Sequence, residues 1–105
     1  MNYNIYEDDY IKFDYFDSLY FSLKYGIINI GIPQDDVENL IYKLKSELVV
    51  KNKHYVRIFD DIIYIDKRVN KKEIKTMLED AIFCSDITDT NKDKLFSITR
   101  SITIN

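Results

Sequence analysis

The chain contains one cysteine, one proline, one histidine, a single alanine and two glycines among its 105 residues. Each scarcity excludes something. A lone cysteine forms no intramolecular disulfide, so a cytoplasmic setting is expected. One cysteine and one histidine cannot build a zinc site unless carboxylates supply the remaining ligands. Two glycines cannot furnish the loops that cradle phosphates or dinucleotides, and no G-x-S-x-G elbow occurs. The shortage of glycine and proline also rules out collagen-like and linker-type chains. No apolar run approaches the roughly 18 residues of a membrane span. The opening MNYNIYEDDY is acidic, without the basic and apolar regions of a signal peptide. The expectation is therefore a protein with no membrane segment, no cofactor, no metal and no catalytic set.

What is present is a globular composition, 46% hydrophobic and 31% charged, of a length that suits one domain. Isoleucine, lysine, asparagine and tyrosine supply 46 of the 105 residues, a skew that points to an AT-rich genome such as a low-GC bacterium or its phage. The net charge of −3 is unevenly spread. Residues 1–50 carry nine acids against four bases, whereas residues 51–75 carry eight bases against four acids. Such a division can serve steering, partner choice or self-association.

Two helices are predicted from apolar periodicity. Val37, Leu40, Ile41, Leu44 and Leu48 form one stripe over about 35–50, with Asp35 and Glu38 spaced as a capping box. Ile74, Met77, Leu78, Ala81 and Ile82 form the second over about 71–84, with Asn70 and Glu73 as its box and Val69–Ile74 as a staple. Between them, His54–Phe59 and Ile62–Ile65 flank Asp60-Asp61 as a hairpin whose second strand, apolar on both faces, is an inner one. Leu95–Ile104 alternates as a strand, with Phe96, Ile98, Ile102 and Ile104 facing in and Ser97, Thr99, Ser101 and Thr103 facing water. Residues 85–94 read as a loop. Ile27–Ile32 reads as a further strand.

Residues 11–25 alternate as a hairpin turning at Phe16-Asp17. A helix capped by Asp17 and stopped at Gly26, with Phe16, Leu19, Tyr20 and Leu23 inward, competes with it. The expected class is α+β, a small, mainly antiparallel sheet with two helices on one face. The order from Ile27 onward matches a ferredoxin-like βαββαβ core over 27–105, preceded by an N-terminal hairpin extension over 1–26.

Catalytic and metal patterns are weak. Cys84 ends an apolar stripe and is expected to be a buried packing residue, and His54 to lie at the surface. Asp89, Asn91 and Asp93 match the first ligands of an EF-hand loop, but Lys94 and Arg100 stand where glycine and glutamate are needed. Asp60 and Asp61 with Glu73-Ile-Lys75 imitate a magnesium-nuclease pattern, yet here the E-x-K portion opens a helix. Arg100, which interrupts an apolar row, is expected to pair with a carboxylate or mark an exposed edge.

Six of the nine tyrosines lie in the first 25 residues, interleaved with acids. Tyrosine joins a rigid apolar ring to a hydrogen-bonding tip, which suits protein interfaces. Tyr15 and Tyr25 fall in core-facing rows, so Tyr3, Tyr6, Asp8, Asp9, Tyr10, Asp17 and Tyr20 are the candidate partner-binding residues. Aspartates among tyrosines fit a basic partner surface, including one that normally receives nucleic acid. The resulting expectation is a non-enzymatic protein-interaction domain. Its more specific form is a phage or mobile-element accessory protein that blocks a basic surface of a host protein such as a defence nuclease. The alternative is a nucleic-acid-binding domain using Lys51, Lys53, Arg57, Lys67, Arg68, Lys71 and Lys72. A homodimer formed through an edge strand is a third expectation.

Overall fold

In the computed structural model, which describes residues 9–101, the first described elements are β1 (Tyr10–Phe13) and α1 (Tyr15–Lys24). A 3-10 turn (Gln34–Asp36) leads into α2 (Val37–Lys51), followed by β2 (Val56–Phe59) and β3 (Ile62–Asp66). The last described elements are α3 (Lys71–Cys84) and α4 (Asp89–Ser101). Among the described residues this is an α+β arrangement of four helices and one antiparallel sheet, ordered β1-β3-β2.

The α2 stripe organises the fold. Val37, Leu40, Ile41, Leu44 and Leu48 are all buried, each worth about 1.5–3 kcal/mol over its exposed state. Through that stripe α2 packs against α1, β2 and α3, and α3 in turn packs against α4. Tyr15, Phe16, Leu19 and Leu23 of α1, Ile30, Val56 of β2, Ile63 and Ile65 of β3, Leu78, Ala81 and Ile82 of α3 and Leu95 of α4 join that stripe in one core cluster among the described residues.

The hairpin forms as its sequence predicts. Asp60 and Asp61 both have positive φ, 54° and 65°, as a two-residue hairpin turn requires. β3 is the central strand, pairing Ile63 with Phe13 on one side and with Ile58 on the other. The α3 box also forms: the Asn70 side chain accepts from the Glu73 N–H at 2.8 Å, and Glu73 accepts from the Asn70 N–H at 3.2 Å. The predicted Asp35/Glu38 box does not form. The 3-10 turn winds the chain into α2 instead, and Asp36 caps it without a side-chain bond.

Four further expectations are corrected. The strand placed at 95–104 is helix α4 through Ser101, and residues 102–105 lie outside the described residues. Leu95 and Thr99 stand four apart and both are fully buried, so the inward face follows a helical period that the Ser/Thr alternation conceals. The hairpin placed at 11–25 is half right. β1 pairs with β3, but Asp14 ends it and α1 follows, because Tyr15, Phe16, Leu19 and Leu23 bury one helical stripe. Residues 27–32 form no strand, since Gly26 and Gly31 adopt φ of +75° and +81° at either end of the run. Ile30 is still buried, so the apolar pattern is served by a loop folded onto the core. The order of the described elements is therefore βααββαα, and from Ile27 onward it lacks the first and last strands of the ferredoxin-like arrangement.

Two residue placements are also reversed. Cys84 is exposed at the end of α3, two positions past the buried Ile82. Tyr25 is 66% exposed, because in a helix it follows the outer row of Phe21, whose ring centroid lies 4.6 Å away. His54 is exposed before β2, and Arg100 pairs with Glu79 at 3.4 Å, both as expected.

Candidate functional site

The start of α1, the first half of α2 and the β2–β3 turn meet around a groove of about 420 Å³. Its floor is apolar, made of Phe16 and Ile41, both core residues. Asp17 and Tyr20 of α1 form one wall. Glu38, Tyr42 and Lys45 of α2 form the other, on the row of helix positions spaced four and three apart beside the buried stripe. Asp61 closes the end, and Lys45 Nζ donates to its backbone oxygen at 2.7 Å. The ammonium thus ties the turn to α2 through a carbonyl. None of Asp17, Glu38 and Asp61 is in an ion pair among the described residues.

Asp61 owes its place to an unfavourable backbone. A non-glycine residue in the left-handed region costs about 1–2 kcal/mol, less for aspartate than for most. Here the left-handed turn places Asp61 in the lining of an acidic, tyrosine-walled groove.

The candidate partner-binding residues divide. Asp17 and Tyr20 sit together in the groove. Asp9 and Tyr10 lie at the opposite end of β1, where with Asp66, Lys67 and Arg68 they line a second cleft of about 430 Å³. Tyr3, Tyr6 and Asp8 lie outside the described residues. The groove's other members, Glu38, Tyr42 and Asp61, escaped the sequence reading. Their signal was the row 38, 42 and 45 flanking the apolar stripe of α2.

The topology gathers the basic candidates at the far end of the sheet from Asp61. Lys51 ends α2, Lys53 lies in the turn before β2, and Lys67 and Arg68 follow β3. Lys71 and Lys72 open α3. The Asp66 N–H donates to Tyr55 O at 2.7 Å, which joins the turn carrying Lys53 to the one carrying Lys67. Arg57 donates to Lys53 O and lies 5.7 Å from the Tyr10 ring centroid. Arg68 grips Asp66, at 2.6 Å for the closest contact, and that guanidinium holds the carboxyl down at about 2. Lys51, Lys53, Lys67, Lys71 and Lys72 are exposed and form no ion pair among the described residues.

The imitations of catalytic sites come apart. Glu73 is committed to its cap and is separated from Asp60 and Asp61 by the length of β3. Asp89, Asn91 and Asp93 lie on the opening turns of α4, not on a loop that could wrap a cation. No helix among the described residues is long and apolar enough to cross a membrane. No family model, curated protein or solved structure matches this chain.

Proposed function

We propose that this is a non-enzymatic protein-interaction domain that docks on a basic partner surface through the groove between α1, α2 and the β2–β3 turn. One observation carries the reading: two tyrosines and three carboxylates converge over an apolar floor, with one ammonium among them. Apolar contact would supply affinity, and the carboxylates would select arginine or lysine and align them. The AT-rich composition supports a phage or mobile-element source, for which the partner would be a host nucleic-acid-handling protein such as a defence nuclease. Asp17, Glu38 and Asp61 would then stand where phosphates otherwise lie.

The test is a titration of the ¹⁵N-labelled chain with an arginine- and lysine-rich peptide, followed by amide shifts. Shifts should concentrate at Asp17, Tyr20, Glu38, Tyr42 and Asp61, and vanish in the triple variant Asp17→Asn, Glu38→Gln, Asp61→Asn. Shifts that avoid the groove, or survive in that variant, would refute the reading.

A second reading rests on the basic end. Seven bases collected beside Tyr55, itself 45% exposed, suit a phosphate backbone with a stacking ring. Anisotropy of labelled DNA and RNA at two salt concentrations tests it, and binding that weakens steeply with salt would favour it.

A further inference from the structure

Opposite signs of charge predominate at the two ends of one short sheet, with Lys45 offsetting part of the acidic charge in the groove and Asp66 part of the charge of Lys67. The groove presents Asp17, Glu38 and Asp61, while Lys51, Lys53, Lys67, Lys71 and Lys72 stand at the other end. β3 spans five residues between them, about 15 Å at roughly 3.3 Å per residue. That separation exceeds the Debye length of about 8 Å at physiological ionic strength, so within one molecule the two groups are largely screened from each other. The fold also holds them apart rigidly, so neither can fold back to neutralise the other.

The basic end carries its own sign of an anionic neighbour. Lys71 and Lys72 occupy the first turn of α3, where the helix dipole is positive and lysine is disfavoured. Glu73, whose carboxylate accepts from the Asn70 N–H, offsets part of this as one acid against two lysines. An incoming carboxylate set would relieve the opposition of lysines and dipole together.

We propose that the chain associates with itself head to tail, the lysines around Lys67, Lys71 and Lys72 of one copy seating in the acidic groove of the next. The proposal rests on reading the groove as a site for a basic protein surface, and it names a second copy as an occupant. The contact is heterologous, so a pair keeps one free groove on one copy and one free basic end on the other, and association extends beyond a pair unless the ends close into a ring.

Sedimentation velocity tests it on the full chain over rising concentration. The measurements are made at about 0.01 M and about 1 M ionic strength, where the Debye length is about 30 Å and 3 Å. At low salt the mass should climb with concentration past twice the monomer's 12.6 kDa, and at high salt it should return to one chain. Two variants, each checked for native circular dichroism, then remove one end apiece. The groove variant is Asp17→Asn, Glu38→Gln, Asp61→Asn, and the basic-end variant is Lys67→Gln, Lys71→Gln, Lys72→Gln. Each alone should be monomeric, whereas a mixture should form a one-to-one dimer that grows no further. A wild-type chain that stays monomeric at low salt, or variants that still associate singly, would overturn the proposal. If wild type stays monomeric while the basic peptide still shifts the groove amides, only self-association fails. If both are silent, the groove reading falls with it.

Discussion

At the scale of single residues, two polar contacts make separate statements about pH. Tyr15 opens α1 almost wholly buried, and its hydroxyl meets Thr99 Oγ1 of α4 at 2.9 Å. This bond joins positions 84 residues apart and satisfies two groups that water cannot reach. Replacing Tyr15 with Phe should cost about 1–3 kcal/mol in urea unfolding, because Thr99 is left buried without its partner. Burial pushes the Tyr15 phenol above its ordinary 10.0, the Thr99 bond opposing in part. A raised acid gives stability that is whole below pH 10 and is lost as pH climbs through the folded value. The alkaline fall in stability should therefore be shallower in Tyr15→Phe than in the wild type, and equal slopes would deny the shift.

Asp66 works in the opposite direction. Its carboxyl sits at about 2 in the fold against 3.8 ordinarily, chiefly through the Arg68 guanidinium and then the Arg68 N–H. A lowered carboxyl stabilises fully above 3.8 and loses that contribution as pH falls toward 2. Asp66→Asn should remove this segment of the acid unfolding curve while leaving the curve above pH 5 parallel to that of the wild type.

At the scale of elements, local rules succeeded wherever a stripe and a cap agreed. α2 and α3 were legible because their apolar residues recur at helical spacing over 14 or 15 residues, and the hairpin because two β-rich runs bracket exactly two polar residues. α4 was hidden because its buried contacts include a threonine, so Ile98 and Thr99 read as the two faces of a strand when both pack inward in a helix. α1 was legible only as the competing reading of its segment, because ten residues rich in aromatics satisfy periods of two and of 3.6 nearly equally. Only the choice of α1 as a helix brings Asp17 and Tyr20 to the groove, so one wall of the site depended on an element the alternation misassigned. Glu38, Tyr42 and Asp61 could not be found without knowing that α2, α1 and the turn converge.

The turn itself sets stability against binding. Asp60 and Asp61 both adopt positive φ, which glycine and asparagine tolerate better than aspartate does. The double change Asp60→Asn, Asp61→Gly should stabilise the chain by about 1 kcal/mol in urea unfolding. The Lys45 bond survives it, since that bond is made to the Asp61 backbone oxygen. Affinity of the groove for a basic peptide should nevertheless fall, because one of three carboxylates is gone. A stabilised variant with undiminished peptide binding would remove Asp61 from the site.

At the scale of the whole molecule, the segregation of charge predicts how the groove would meet a partner. An exposed set of carboxylates acts mainly before contact, raising the encounter rate through a field that salt screens, whereas desolvated rings act after contact by slowing escape. Surface plasmon resonance against a basic protein partner, read at several ionic strengths, separates the two. The wild-type association rate should fall steeply with salt while the dissociation rate barely moves. Neutralising Asp17, Glu38 and Asp61 should lower the association rate at low salt and flatten its salt dependence. Tyr42→Ala removes a ring that is 65% exposed in the free chain, so it should spare the fold. A loss of about 1–2 kcal/mol, the range of an interface tyrosine, corresponds to a dissociation rate roughly five- to thirty-fold faster. The salt dependence of association should stay that of the wild type. If Tyr42→Ala instead changed association and left dissociation alone, the ring would be no contact, and the groove would be acting only as a source of field.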